Sequence, residues 1–145
     1  MYKRQEYIHT LDNKDRFILP SKFRSILKEK KIKKLYLTRG LDNCLFLFPD
    51  FEWKRIEDSL KTLPLTKQNA RIFNRIFFSG AVEIVLDSVG RLTIPQYLKE
   101  FAHINKEIVL IGVAFRIEIW AKELWVEFYK KHKELFDKIS EDLII

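Results

Sequence analysis

Apolar residues along this chain follow two rhythms, and the same succession of rhythms occurs twice. Short apolar runs at 17–19 and 92–94 (Phe17-Ile18-Leu19 and Leu92-Thr93-Ile94) have the length of strands. Beyond them Phe23, Ile26 and Leu27, and later Leu98, Phe101 and Ala102, keep the i, i+3, i+4 spacing of one apolar helix face. Pro20 and Pro95 stand just ahead of these faces. Proline suits a first helical turn, having a preset φ and no N–H to leave unpaired. Two strands are predicted next in each case, 34–38 with 45–48 and 108–111 with 115–120. Their connections contain Gly40 and Gly112, as hairpin turns favour. Helices follow. Trp53, Ile56, Leu60 and Leu63 make a stripe that Pro64 closes. A second helix over 70–78 puts Ile72, Phe73, Ile76 and Phe77 on one face and Arg71 with Arg75 on the other. The last helix carries Leu124, Trp125, Phe128, Tyr129, Leu135, Phe136 and Ile139 on a broad face.

The succession is an internal repeat. Leu11-Asp12-Asn13-Lys14-Asp15-Arg16-Phe17-Ile18-Leu19-Pro20 lines up with Leu86-Asp87-Ser88-Val89-Gly90-Arg91-Leu92-Thr93-Ile94-Pro95 at an offset of 75, with Leu, Asp, Arg and Pro identical. Leu45-Phe46-Leu47-Phe48 up to Trp53 matches Ile117-Glu118-Ile119-Trp120 up to Trp125 at an offset of 72, so three residues are lost between helix and strand. A unit this small cannot bury its apolar face alone, and the two copies are expected to interlock about a pseudo-two-fold axis.

Composition narrows the class. With 145 residues, 47% hydrophobic and 14% aromatic, the chain can bury a core, which excludes disorder as its main state. No uncharged apolar run approaches the roughly 20 residues a membrane span needs. The start, MYKRQEYIHT, does not read as a signal peptide. A single cysteine, Cys44, sits among apolar residues and excludes a disulfide framework. The expected place is the cytoplasm. Net charge is +7, and its distribution says more: residues 1–40 hold 12 Lys/Arg against 4 Asp/Glu, and the remaining 105 hold 15 against 16. All the excess basicity lies in the first quarter, which favours an anionic partner, nucleic acid being the commonest, with a lysine-rich solvated surface as the alternative.

No catalytic residue, cofactor or metal is expected. His9, His103 and His132 lack metal-ligand spacing, and four glycines make no phosphate-cradling loop. Asp12 and Asp15 have no general base to work with, and Cys44 lacks the basic surroundings that activate a thiol.

Two copies of Asp-x-x-Gly-Arg followed four residues later by Pro, with Arg71-Ile72-Phe73-Asn74-Arg75-Ile76-Phe77-Phe78-Ser79-Gly80-Ala81 between them, resemble the MraZ family of bacterial transcription regulators. The similarity runs from about Tyr2 to about Phe136. It implies an α+β fold of two pseudo-symmetric SpoVT/AbrB-like swapped-hairpin β-barrel repeats with flanking helices, assembled into a ring-shaped homo-oligomer. It also implies binding to tandem repeats of double-stranded promoter DNA ahead of the division and cell-wall gene cluster, and hence nucleoid association. The first copy departs from the pattern: Asp15 stands where the family has glycine, while Gly90 keeps it. Aspartate tolerates positive φ better than most residues, but it sets a carboxylate beside Arg16.

The expected divisions are a first repeat at 5–50, linking helices at 51–79, a second repeat at 80–124 and a C-terminal helix at 125–145. The resemblance places DNA contact at Arg16 and Arg91, with Asn13 and Lys14 beside the first. Arg16 is favoured because its chain neighbours are basic, whereas Arg91 lies in a neutral half. Asp12 and Asp87 either orient these arginines or simply brace the turns. The lysines at 28, 30, 31, 33 and 34 read as a solvated run, Arg71 and Arg75 as surface or interface ion-pairing groups, and Trp53, Trp120 and Trp125 as core or interface anchors. The rival reading is a non-catalytic, ring-forming interaction protein that offers its basic face to a protein partner.

Overall fold

The computed structural model describes residues 6–143. The expected start of the first repeat at residue 5 and the end of the last helix at 145 lie outside the described residues. The chain runs β1 (Glu6–Thr10), β2 (Arg16–Ile18), α1 (Ser21–Glu29), β3 (Leu35–Arg39), β4 (Leu45–Pro49), α2 (Asp50–Leu60) and α3 (Gln68–Ser79). It then repeats itself as β5 (Val82–Ile84), β6 (Arg91–Thr93), α4 (Gln96–Phe101), β7 (Glu107–Val113), β8 (Arg116–Ala121) and α5 (Lys122–His132), with α6 (Phe136–Asp142) at the end. This is an α+β architecture.

Six strands form one antiparallel sheet in the order β1-β7-β8-β4-β3-β5, and β2 pairs with β6 as a separate ribbon. The repeats exchange their first strands. β1 pairs with β7 of the second repeat, and β5 pairs with β3 of the first. Residues equivalent by the repeat face each other where the two halves meet: Phe17 opposite Leu92 in the ribbon, and Phe46 opposite Glu118 between β4 and β8. The pseudo-two-fold axis therefore passes between those pairs. The sheet stays open, with β1 and β5 as its edges, and does not close into a barrel.

Strand alternation divides the core in two. Leu35 and Leu37, Leu45 and Leu47, Ile108 and Leu110, and Ile119 point to one face, where they pack with Phe17, Leu19, Leu92, Ile94 and Leu98. The ribbon and α1 and α4 cover that face. The intervening Phe46, Phe48 and Trp120 point to the other, where Trp53 and Phe77 join them from α2 and α3. Trp53 stacks between Tyr36 and Phe77 at 5.2 and 5.6 Å, so it is a core residue.

Five local expectations need correction. Pro20 and Pro95 are not in the first helical turn but one place before it, in extended conformation (ψ 142 and 149), and their carbonyls accept from the N–H groups of Phe23 and Arg24 in α1 and of Leu98 and Lys99 in α4. Proline's fixed φ serves the entry to a helix as well as its first turn. Gly112 lies inside β7, and the turn to β8 is made at Ala114, with φ 50. Leu63 falls beyond the end of α2. The single C-terminal helix begins at Lys122 and is interrupted by a 3-10 turn at Lys133–Leu135, beyond which α6 lies exposed. The three residues lost between repeats come out of the helix itself, since α1 has nine residues and α4 has six.

Candidate nucleic-acid interface

The turns before β2 and β6 are built from the same bonds. Asp12 Oδ1 accepts from the backbone N–H groups of Lys14 (2.8 Å) and Arg16 (3.0 Å), and its Oδ2 accepts from Arg16 Nε (2.9 Å). Asp87 Oδ1 accepts from the N–H groups of Val89 (3.0 Å) and Arg91 (2.8 Å), and its Oδ2 from Arg91 Nε (2.6 Å). Aspartate is short enough to reach the backbone of its own turn and still leave one oxygen for a side chain. The Arg91 N–H, above all, holds the Asp87 carboxyl down at about 2, against an ordinary 3.8; the Arg16 N–H lowers that of Asp12 likewise.

Each arginine is held through Nε alone. Among the described residues its two terminal nitrogens have no partner. Strand register sets Arg16 opposite Thr93 and Arg91 opposite Ile18, so these four side chains share the outer face of the ribbon. The inner face is Phe17 and Leu92, both buried. Arg16 and Arg91 are thus diagonal neighbours, with Cα atoms about 7–8 Å apart. A guanidinium fixed through Nε presents two parallel N–H donors outward, the geometry that phosphate oxygens or a guanine edge accept.

Asp15, the unusual residue, has φ 60, and its counterpart Gly90 has φ 90. Its carboxylate accepts from Lys99 Nζ at 2.7 Å, and the Lys99 side chain is only 13% exposed. Arg24 occupies the same repeat position as Lys99 and lies over Gly90. A Cβ at residue 90 would come within 2.6 Å of Arg24 Cδ. Each turn is therefore packed by a basic side chain of the opposite repeat. The carboxylate beside Arg16 is engaged, and at the second turn a side chain on residue 90 would have to displace the end of Arg24.

The same crossing corrects the view of Arg91 as lying in neutral surroundings. Residues 85–90 share a surface groove with Arg24, Lys28 and Lys33, so α1 brings the basic first quarter of the chain beside the second turn. Lys14 and Asn13 are exposed at the tip of the first turn, where the second has Val89 and Ser88. Arg71 Nη1 donates to the Leu65 carbonyl at 3.0 Å, far along the chain from the ribbon. Cys44 is buried beside β4, and that burial, helped by the Glu118 charge, pushes its thiol far up. Among the described residues no three of His, Cys, Asp or Glu stand together as a metal would require. No helix among them is long and apolar enough to cross a membrane.

Sequence reading did not find Lys99 and Arg24 as partners of the turns. The signal was present, since both are basic at one repeat position. Ile18 and Thr93 as the outer face of the ribbon could not be found without the pairing of β2 with β6.

Fold and site together define a class: a two-repeat α+β protein whose halves exchange strands and display a matched pair of braced arginines on a central ribbon. The chain belongs to the MraZ family, whose model, described as "MraZ protein, putative antitoxin-like", matches it twice, over residues 3–76 and 77–144. Membership of that family points to a DNA-binding regulator.

Proposed function

We propose that this protein is a sequence-specific DNA-binding transcription regulator that acts as a homo-oligomer on tandem promoter repeats, as its resemblance to the regulator of the division and cell-wall gene cluster implies. The observation that carries the reading is the outer face of the β2–β6 ribbon, where Arg16 and Arg91 are braced through Nε and free at their terminal nitrogens. A two-stranded ribbon is narrow enough to enter the major groove. Arg16 and Arg91 read base edges or grip phosphates there, and Lys14 and Asn13 contact the backbone beside them. Strand exchange supports treating each half as a SpoVT/AbrB-like swapped-hairpin unit, because neither half holds its own first strand.

One ribbon reaches few bases, so affinity on a promoter comes from several subunits meeting repeated sites together. Phosphate neutralisation supplies much of the energy and makes binding fall steeply with salt.

The test is fluorescence anisotropy of labelled DNA from upstream of the protein's own gene, titrated across a salt series beside an unrelated duplex. Promoter-preferring binding that is lost in Arg16→Ala and Arg91→Ala supports the reading. Equal, weak binding to both duplexes overturns it and turns the search toward a protein partner for the basic face.

A further inference from the structure

The outer face of the β2–β6 ribbon carries four side chains, two of them charged and two not. Arg16 and Arg91 stand on one diagonal. Ile18 and Thr93, equivalent by the repeat, stand on the other, and both are exposed, Ile18 by 43%. A strand favours β-branched residues, but Thr93 meets that preference at the matching place with a hydroxyl. Strand propensity therefore does not account for an apolar group at 18.

The ladder sets Ile18 close to an arginine. The Leu19 N–H donates to the Gly90 carbonyl and the Ile94 N–H to the Asp15 carbonyl, both at 3.0 Å. Ile18–Arg91 and Arg16–Thr93 are thus the narrow pairs of the ladder, not bonded to each other, with Cα atoms about 4.5 Å apart. Successive bases along a DNA strand are about 3.4 Å apart. With the ribbon in the groove, Arg91 and Ile18 meet the same base pair or neighbouring ones.

Chemistry selects what Ile18 meets there. Its hydrocarbon side chain neither donates nor accepts a hydrogen bond. Pressed on the edge of guanine, adenine or cytosine, it leaves polar groups covered and unpaired, which is costly. Thymine alone of the four bases offers an apolar group in the major groove, its C5-methyl. That contact also displaces water beside the outward N–H donors of Arg91, where a hydrogen bond to DNA is then stronger.

The repeat adds direction. A ribbon of exact two-fold symmetry reads a site equally well in either sense, whereas tandem repeats all point one way. Both halves carry the same braced arginine on this face, so its asymmetry lies in Ile18 against Thr93. Threonine can offer a base either its hydroxyl or its methyl and so accepts several, while Ile18 accepts one.

We infer that Ile18 is a specificity residue of the DNA site: it packs on the C5-methyl of a thymine in the base pair that Arg91 contacts or the next one. The inference rests on the DNA-binding reading and deepens it.

The test uses two forms of the labelled duplex from upstream of the protein's own gene, one with thymine and one with uracil at every thymine position. Uracil lacks the methyl but keeps the polar edge and the pairing. Anisotropy at one fixed salt concentration gives Kd for the parent and for Ile18→Ser, beside the unrelated duplex, with circular dichroism to confirm folding. The parent should lose about fourfold in affinity for each methyl contact that uracil removes. Ile18→Ser should lose a similar factor on the thymine duplex and bind both forms alike, as two groups in mutual contact require. Promoter preference without a uracil penalty overturns the inference and leaves the DNA-binding reading standing. So does a penalty undiminished in Ile18→Ser, which comes from DNA shape instead. No preference for the promoter over the unrelated duplex overturns both. Should Ile18→Ser unfold, Ile18→Gln carries the same comparison.

Discussion

Asp87 gives up its proton more readily than an ordinary carboxylic acid because the Arg91 N–H, the Arg91 side chain and the Val89 N–H all bond the ionised form. A carboxylate whose folded value is depressed stabilises the fold fully above its unfolded value and loses that contribution as pH falls to the folded one. The unfolded chain therefore binds more protons between about pH 4 and about pH 2, and stability falls with acid across that window. Stability curves against pH should show a shallower drop there for Asp87→Asn than for the parent, and carboxyl NMR should find Asp87 still ionised well below pH 3.8. At the neighbouring position, Gly90→Asp has to meet both positive φ and the Arg24 side chain. It should cost about 1–3 kcal/mol in denaturant unfolding. Asp15→Gly, at the equivalent place, relieves the φ constraint but unpairs the largely buried Lys99, and should change stability far less than Gly90→Asp. For DNA binding, Arg16→Ala and Arg91→Ala should each weaken promoter affinity by about 1–3 kcal/mol if they reach base edges. Equal losses would reflect the basic flank that α1 lends to the second turn. Lys14→Ala should instead lower the salt slope by about one and weaken all sequences alike.

Among the elements, the ribbon is the one whose two faces do different work. Phe17 and Leu92 anchor it to the core, and the arginines stand on the other side. Leu92→Ala leaves a cavity beneath three-residue strands that hold few hydrogen bonds of their own. It should destabilise the protein by about 2–5 kcal/mol, read by urea unfolding. The helices show the same dependence on context. α1 and α4 occupy one repeat position, yet Leu98 of α4 is fully buried while α1 buries nothing completely. Arg39 also lies over the rings of Tyr97 and Phe101 of α4 at 5.8 Å, whereas its repeat counterpart Gly112 has no side chain to offer to α1.

For the whole molecule, pairing of β2 with β6 leaves one ribbon per chain. A single ribbon on a single site is a weak reader; linked copies on spaced sites gain affinity through effective concentration, by a factor on the order of 100 to 10,000. The parent protein should therefore bind a tandem duplex far more tightly than a one-repeat duplex. Anisotropy on the two duplexes checks this directly. A parent protein that shows no gain on the tandem duplex would refute the multivalent reading.

Much of this was legible in the order of residues. The offset of 75 announced two equivalent units, the alternation in 45–48 and 117–120 announced strands, and Asp-x-x-x-Arg announced a turn with a braced arginine. These are local signals, because a side chain bonding its own turn and a periodic apolar face need no knowledge of distant partners. Charge counted along the chain misjudged Arg91, because a count cannot register that α1 packs against the second turn. Nor could the chain alone reveal that Lys99 neutralises Asp15 across 84 positions, that Arg16 and Arg91 share one ribbon face, or that the last helix breaks at Lys133–Leu135 and stands uncovered. Each of these depends on which strands pair across the pseudo-two-fold axis. That choice is made by burying the apolar faces of both repeats together, and neither repeat specifies it by itself.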